Sequence, residues 1–509
     1  MFRIFKIHYL LFTLLFAPAA QATDLFENIE VLQPTVGPMM GQPEAGQRRF
    51  WLKGPTLNAY DSNHYYGILQ IKEDHNEWDS RNLHLFPLNV PYDSTGIKDV
   101  KDLVGMQDLA LKPGTYTYRC GYVASEKADF SLLTRFRWHD KTFSFNVKDP
   151  QKDTAVLAFG SCRYFAQLFG FNFWLSNSDQ IFQGMNTRKH NMDAFALIGD
   201  YIYADPLGPL FFNFSQRRTY SQFKSLYETA MTTPNFCELI ATVPCFHVLD
   251  DHEITNNFGE DYPRVNPQVY QAGMAAYMTH QHMVTPAYRN TIDMNHLGYP
   301  LTIGNVAGFM INTRSNRSSN PPRIIHEDEM FALKNWLLDH KQAPYKVLFS
   351  SVPMFPIYAN NPGQDEDKWY GFKDQMMELL NHINDNRIHG VILCAGDVHW
   401  SMYTQIESLQ GVRITTVIAS PFFSPWGHDE GPYSAIQPEK GILEFVPNFE
   451  YKHTSQVYHT DSYAELSFGK NYQLTIKLFD AQGALLNEQD KASGTIDLTP
   501  PSDLQYHWG

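Results

Sequence analysis

Four short polar clusters each follow an apolar run in this sequence. They are Gly160-Ser161-Cys162-Arg163, Gly199-Asp200-Tyr201-Ile202-Tyr203, Asp250-Asp251-His252-Glu253 and Gly396-Asp397-Val398-His399. Short apolar runs of this kind are typical of buried strands. Ligands of open α/β sheets bind beyond the carboxyl ends of the strands. We therefore expect the four clusters to meet in one cleft.

The side-chain types in these clusters suit a pair of metal ions. Asp200 can bridge two cations with its two oxygens, and Tyr203, three positions later, can reach one of them. Thiolate and phenolate ligands favour a strongly Lewis-acidic ion such as ferric iron, whereas Asp251 and Asp397 favour a harder divalent cation. Two cations about 3.5–4 Å apart acidify bound water and stabilise an in-line displacement. The pattern therefore predicts hydrolysis of a phosphate ester.

Each cluster also has an ordinary structural interpretation. Gly199-Asp200 could form a turn, Asp250 could cap a helix, and His399 could lie in a loop with its ring hydrogen bonded. An isolated Cys162 would usually be a buried thiol. The occurrence of all four clusters in order, each after an apolar run, favours the metal site.

The surrounding elements divide the chain into two parts. Residues 30–148 contain short alternating stretches at 49–52, 115–120 and 142–147, which predict a β-sandwich. From residue 154 to about 505, apolar strands alternate with helices predicted at 220–231, 327–340 and 373–386. This alternation indicates a layered α/β domain. A terminal hairpin is predicted from 472–478 across 480–483.

Residues 1–22 have the pattern of a secretory signal peptide. Arg3 and Lys6 precede an apolar run at 9–17, and Ala20-Gln21-Ala22 supplies a cleavage site. A membrane anchor is the alternative, but the apolar run is shorter than the roughly 20 residues that span a bilayer. We expect an exported protein, periplasmic or extracellular, with no transmembrane segment in the mature chain.

The charge and the cysteine content limit the possible partners and disulfides of the protein. The formal net charge of -14 argues against a stable nucleic-acid partner, since such proteins are usually basic. The chain has five cysteines, so at least one thiol has no internal partner. Cys237 and Cys245 are close enough in sequence to form a disulfide, which the sequence leaves open. It also leaves the oligomeric state open.

The residues described above resemble those of the alkaline phosphatase D (PhoD-like) family, within the metallophosphoesterase superfamily. The matching stretches are 159–162, 199–205, 250–253 with Asn256-Asn257, and 396–399. The resemblance implies a calcineurin-like α/β/β/α sandwich preceded by a small fibronectin-III-like β-sandwich. It covers nearly the whole mature chain.

The resemblance also implies a set of ligands. A ferric ion (Fe3+) would be held by Cys162, Asp200, Tyr203 and His399. A second metal, commonly Ca2+, with Mn2+, Mg2+ or Zn2+ as alternatives, would be held by Asp200, Asp251 and Asp397. His252 would protonate or polarise the leaving oxygen. Phosphate mono- or diesters would then be hydrolysed by attack of a metal-bound hydroxide, with Asp200 and His252 as catalytic residues.

Some positions depart from the family pattern. Arg163 stands where the family more often has Gln, and we expect its planar guanidinium to bind phosphate, with an ordinary surface salt bridge as the alternative. Arg314 is the second expected substrate-binding residue, although Asn312 stands where the family often has Asp. Ser350-Ser351 occupy the strand end where purple-type enzymes place a His.

Two other functions are compatible with the sequence. A phospholipase D-type or nuclease phosphodiesterase would use the aromatic stretch 211–214 with Arg217-Arg218 as a lid. A catalytically degenerate surface-binding protein would use only the sandwich. The complete set of predicted ligands favours the enzyme.

Overall fold

The computed structural model describes residues 28–57, 63–90, 101–125, 134–149, 154–206, 216–288, 297–355, 367–425, 440–442, 448–486 and 492–500. The predicted signal peptide at 1–22 and the aromatic stretch at 211–214 lie outside the described residues.

The amino-terminal part is a β-sandwich. Its strands are β1 (Asn28–Glu30), β2 (Val36–Gly41), β3 (Gln47–Thr56), β4 (His64–Glu73), β5 (Leu83–Pro87), β6 (Asp102–Ala110), β7 (Gly114–Ser125), β8 (Arg135–Arg137) and β9 (Phe143–Val147). Sheets of order β2-β3-β6 and β5-β4-β7-β9 bury Phe50 and Leu52 against Leu69, Tyr118 and Phe145. Strict alternation along β9 places every second side chain inside.

The carboxy-terminal part alternates strands and helices. The strands are β10 (Ala155–Gly160), β11 (Ala166–Leu168), β12 (Phe171–Phe173), β13 (Ala194–Ile198), β14 (Cys245–Val248), β15 (Tyr299–Ile303), β16 (Val306–Ile311), β17 (Ser318–Ser319), β18 (Pro322–Arg323), β19 (Tyr345–Ser350), β20 (Val391–Ala395), β21 (Met402–Ser408), β22 (Arg413–Ile418), β23 (Lys440–Ile442), β24 (Phe449–His453), β25 (Ser462–Phe468), β26 (Gln473–Asp480) and β27 (Ser493–Asp497). The helices are α1 (Leu175–Asn186), α2 (Tyr220–Met231), α3 (Pro234–Thr242), α4 (Asp261–Val265), α5 (Pro267–His280), α6 (Glu327–Asp339) and α7 (Lys373–Asp385).

Two sheets pack face to face between two layers of helices. One has the order β14-β13-β10-β25-β26-β27, and the other the order β15-β16-β19-β20-β22-β21-β24-β23. Leu157 and Ala196 of the first sheet share a buried core with Val347, Phe349 and Ile392 of the second. Helices α1, α2, α3 and α5 cover the outer face of the first sheet, and α6 and α7 cover the second. This α/β/β/α arrangement confirms the predicted fold class.

The strands that precede the polar clusters are parallel within each sheet. Strand β13 pairs in parallel with β10 and with β14, and β20 pairs in parallel with β19 and β22. Carboxyl ends of parallel strands meet at one edge, so this topology brings the clusters together. These strands could be predicted from the sequence because nearly all of their residues are buried, which gives continuous apolar runs.

The sandwich and the layered part share a hydrophobic core. Val36, Met39 and Trp51 of the sandwich belong to the same buried cluster as Phe195 and Phe236. Arg49 also donates from Nη1 to the carbonyl oxygens of Met283, at 3.1 Å, and Thr285, at 2.8 Å. The division into domains at 148–154 stays a prediction, and the contact between the two parts is extensive.

The structure adds two details to the sequence interpretation. Strand β26 pairs with the preceding β25 and with β27, and directly after the predicted turn its antiparallel pairing is limited to a bridge between Phe479 and Leu485. All five cysteines carry free thiols, so Cys237 and Cys245 form no disulfide, and the Cys245 thiol donates to the carbonyl of Val243 at 3.2 Å. Within the described ranges, every helix is too short or too polar to cross a membrane.

Candidate metal centre

The backbone at the strand ends adopts an unusual conformation. Cys162, Asp200, Asp397 and His399 have φ values of 59°, 55°, 68° and 57°. This left-handed region is uncommon for residues other than glycine, and such strain concentrates at functional sites. A Cβ atom on Gly396 would lie 2.2 Å from Oγ of Ser161, so the absence of a side chain there lets two strand ends approach.

Four of the predicted ligands lie around one point. Sγ of Cys162 is 3.3 Å from Oδ2 of Asp200. The hydroxyl of Tyr203 is 3.4 Å from the same Oδ2 and 3.4 Å from Nε2 of His399. Thiol, carboxylate, phenol and imidazole donors from three strand ends therefore form a single cluster, which we call the sulfur-side group.

A second group consists of carboxylates. Asp200, Asp250, Asp251 and Asp397 each offer an oxygen, and these oxygens lie within 4.8 Å of one another. Asp200, Asp251 and His252 satisfy the same criterion. Asp200 belongs to both groups, as a bridging ligand must. We call Asp200, Asp251 and Asp397, with the adjacent Asp250, the carboxylate-side group.

The donor set fits bound cations. Oδ2 of Asp250 and Oδ1 of Asp251 are buried and have no hydrogen-bond partner among the described residues. Buried oxygens without partners are unfavourable unless an ion or water satisfies them. A cluster of oxygen donors suits a hard divalent ion, and the set with sulfur and phenol suits a more Lewis-acidic one.

The pKa shifts of the clustered side chains also favour bound cations. Burial, with Cys162 and Asp251 nearby, raises the pKa of Asp200 well above its ordinary value. Burial also raises the pKa of the Cys162 thiol to about 12 and that of Tyr203 well above its ordinary value. Without positive charge these groups would retain protons. Cations that displace those protons would stabilise the ionised ligands.

Arg314 lies beside the cluster but is already engaged. Its side chain is fully buried, and Nε donates to Oδ1 of Asp250 at 2.8 Å. Nη1 donates to Oδ1 of Asp367 at 2.7 Å. The guanidinium therefore neutralises two carboxylates and presents no accessible donor. This geometry does not support the prediction that Arg314 binds substrate.

Arg163 is not brought into the cluster. Its fully buried guanidinium donates to the hydroxyl of Tyr201 at 3.1 Å, the carbonyl of Ala230 at 2.9 Å and Oγ1 of Thr233 at 2.8 Å. It also lies 3.6 Å from Asp179. A side chain enclosed in the helical layer cannot reach a phosphate, so this geometry does not support the predicted substrate-binding role, and the ion pair with Asp179 is buried and not the surface salt bridge of the alternative.

His252 is held by a carboxylate to which the sequence analysis assigned no role. Nδ1 of His252 is 2.7 Å from Oδ1 of Asp205, and the ring stacks on Tyr203 with centroids 4.2 Å apart. The other oxygen of Asp205 accepts from the backbone N–H of Asn256 at 2.6 Å. Burial lowers the His252 pKa, but Asp205 and Asp251 outweigh it and raise the pKa above its ordinary value. The sequence signal for Asp205 is its position two residues after Tyr203, within the same stretch 199–205.

Glu253 and Lys368 were also missed. Glu253 accepts from the backbone N–H groups of Asp200, Tyr201 and Asp250 at 3.1, 2.7 and 3.0 Å, which ties two strand ends together. Nζ of Lys368 donates to Oδ2 of Asp397 at 2.6 Å. Glu253 is the last residue of the third polar cluster, whereas Lys368 lies outside all four clusters.

The serines at the end of β19 are engaged elsewhere. Oγ of Ser350 accepts from Nε1 of Trp369 at 3.0 Å. Oγ of Ser351 is 2.7 Å from Oγ1 of Thr313. Neither serine belongs to the carboxylate-side group.

Residues 157–462, more than half of the chain, match the family model described as PhoD-like phosphatase. This chain belongs to the PhoD-like phosphatase family. The match confirms the family predicted from the sequence. The family's metal dependence agrees with the clustered carboxylate and histidine donors.

Relatives of this PhoD-like chain are distant. Alkaline phosphatase D from Bacillus subtilis (strain 168) is 25% identical over 257 residues, and the match spans 43% of each protein. The solved structure of PhoD superposes with a TM-score of 0.65 at 15% identity, covering 92% of this chain and 91% of that one. Purple acid phosphatase PPD1 from yellow lupin (Lupinus luteus) seeds gives a TM-score of 0.56 at 14% identity, covering 90% and 74%. These likenesses show a shared fold.

Proposed function

We propose that this PhoD-like chain hydrolyses phosphate mono- or diesters at a dinuclear metal centre. The observation that carries the proposal is the position of Asp200. Its carboxylate belongs both to the sulfur-side group and to the carboxylate-side group. A single carboxylate shared by two donor sets of different chemistry is what a bridged pair of cations requires.

The ligands divide between two cations. Cys162, Asp200, Tyr203 and His399 would hold the first, proposed to be Fe3+. Asp200, Asp251 and Asp397 would hold the second, proposed to be Ca2+, with Mn2+, Mg2+ or Zn2+ as alternatives. When bound, the pair supplies Lewis-acid activation of water and neutralises charge on the phosphoryl group.

His252 is the proposed proton donor to the leaving oxygen. Its side chain is 20% exposed, so a substrate can reach it. Because Asp205 binds Nδ1, the proton on that nitrogen is fixed in place and Nε2 is the nitrogen left to donate. The neighbouring carboxylates favour the protonated ring. Asp205 is therefore a positioning residue for His252.

The proposed substrate is a phosphate ester with an accessible leaving group. We also propose that the chain is exported to the periplasm or the extracellular space, on the signal pattern at residues 1–22. That export agrees with a hydrolase that acts on extracellular phosphate esters.

Metal content and activity together test the proposal. Purified protein should contain iron and a second metal by mass spectrometry, with a visible tyrosinate-to-iron charge-transfer band that Tyr203→Phe removes. It should hydrolyse p-nitrophenyl phosphate or its bis-ester, and chelator should stop the reaction.

The most decisive variant replaces the bridging residue Asp200. Asp200→Ala should lower kcat by at least about three orders of magnitude, because both cations lose a ligand. Asp261→Ala is a control, since Asp261 is exposed and pairs with Arg264 on the surface of α4. Full activity in Asp200→Ala, or metal-free protein with full activity, would refute the proposal.

A further inference from the structure

A small aromatic hairpin projects from the protein next to the metal centre. Strands β11 and β12 pair antiparallel, with Leu168 opposite Phe171. All three residues of β12 are exposed, so neither face of this strand is covered. We define the aromatic hairpin as residues 166–174. Its exposed aromatic side chains are Phe169 at 90%, Phe171 at 68%, Phe173 at 42% and Trp174 at 40%.

Two of these aromatics also occupy strained backbone positions. Phe169 has φ 51° and Trp174 has φ 59°, a region that bulky side chains rarely adopt. The two-residue turn at Phe169-Gly170 has positive φ at both positions, where Asn-Gly is strongly preferred. Large apolar side chains that are both strained and exposed do not stabilise the fold. Such residues indicate a binding surface.

The base of the hairpin is firmly attached to the catalytic part. Gln167 accepts from Oγ of Ser225 at 3.0 Å and donates to Oγ1 of Thr229 at 3.3 Å. The ring of Tyr164 lies 5.9 Å from Trp174 and 4.7 Å from Tyr203, centroid to centroid. Whatever the hairpin binds is therefore held beside the metal ligands.

The charges around the hairpin favour an anionic partner. Residues 164–178 include no charged side chain. Arg217 donates to the carbonyl of Gln167, and the following Arg218 is exposed. Exposed Phe and Trp beside arginines are the composition of segments that lie in the interface of anionic membranes. A protruding tip, unlike a groove, inserts into a lipid surface without needing a complementary protein.

We propose that the aromatic hairpin docks this protein on anionic lipid surfaces. Docking would present the metal centre to phosphate esters at the membrane. The interaction depends on the hairpin and not on turnover, so it is measured independently of the proposed function.

Vesicle sedimentation tests the proposal. Full-length mature protein is mixed with vesicles of phosphatidylglycerol and phosphatidylethanolamine or with vesicles of phosphatidylcholine. The wild type should bind the anionic vesicles more tightly. The double variant Phe169→Ser and Phe171→Ser should bind them at least tenfold more weakly, with an unchanged unfolding midpoint. Phe331→Ser is the matched control because Phe331 is 68% exposed on α6, the same fraction as Phe171, and it should bind like the wild type.

Two results would overturn the docking surface. One is that the wild-type protein binds neither kind of vesicle. The exposed aromatic side chains would then be a surface for a protein partner and not for lipid. The other is a double variant that binds as tightly as the wild type.

Discussion

Nδ1 of His252 and Oδ1 of Asp205 are 2.7 Å apart, and the ring of Tyr203 stacks on the imidazole. The carboxylate fixes which nitrogen carries the ring's bound proton, and the stacking fixes the plane of the ring. As the proposed general acid, a ring held in this way would donate its proton in one direction.

Asp205→Asn should lower kcat about 100-fold, the lower end of the contribution of a positioned acid. A general acid acts while protonated, so activity falls as pH rises through its pKa. Asp205 raises the His252 pKa, and the variant should therefore shift the alkaline limb of the kcat/KM profile to lower pH. A lower rate with an unshifted limb would mean that Asp205 has only a structural role.

Arg163→Met should destabilise the protein and leave substrate affinity unchanged. The buried guanidinium pairs with the buried Asp179, and breaking such a pair costs about 3–5 kcal/mol. Urea unfolding measures the free energy of unfolding, and KM is measured on the folded protein. A raised KM at wild-type stability would restore the phosphate-binding role.

Lys368 is a candidate for the phosphate contact that the two arginines do not make. Its side chain is 15% exposed beside Asp397. Burial lowers its pKa, but Asp397 and Asp367 outweigh burial and raise it to about 12, so it stays charged.

Lys368→Met should raise KM, and the Ki of inorganic phosphate, about tenfold, consistent with one charge-assisted hydrogen bond. Lys334→Met is the control, since Lys334 pairs with Glu378 on the helical surface. Metal content is measured in parallel. Unchanged phosphate inhibition at full metal content would exclude the contact.

Asp102 should make the fold sensitive to strong acid. Burial raises its pKa, but Lys53 and Lys224 reverse this and lower it to about 2, from an ordinary value of 3.8. A depressed carboxyl pKa contributes stability above the unfolded pKa, and that stability is lost as pH falls through the folded pKa. Asp102→Asn should remove about 2 kcal/mol of unfolding free energy at pH 7 and little near pH 2. Equal losses at both pH values would contradict this assignment.

The sequence predicted the ligand cluster because position along a strand determines where the next residue lies. Cys162, Asp200 and Asp251 follow buried parallel strands or their short turns, so their convergence could be inferred from pattern alone. The positive φ values of Cys162 and Asp200 carried no sequence signal.

The directions of long side chains could not be inferred. Arg163 and Arg314 follow strand ends, yet both turn inward to carboxylates that are distant in sequence. Asp367 lies 53 residues from Arg314. Only the packed structure determines which acid each arginine meets. For the same reason, the ion pair between Lys368 and Asp397 could not be predicted from the sequence.

The core that Trp51 and Val36 share with Phe236 also determines when the chain can finish folding. During synthesis the sandwich emerges first, and helix α3 begins 87 residues after the last sandwich strand ends, at Pro234 after Val147. Until α3 has been synthesised, the apolar flank of the sandwich that carries Val36, Met39 and Trp51 is exposed to solvent and can aggregate. A truncated gene ending near residue 150 should therefore yield aggregating protein, whereas the full-length chain buries that flank against α3.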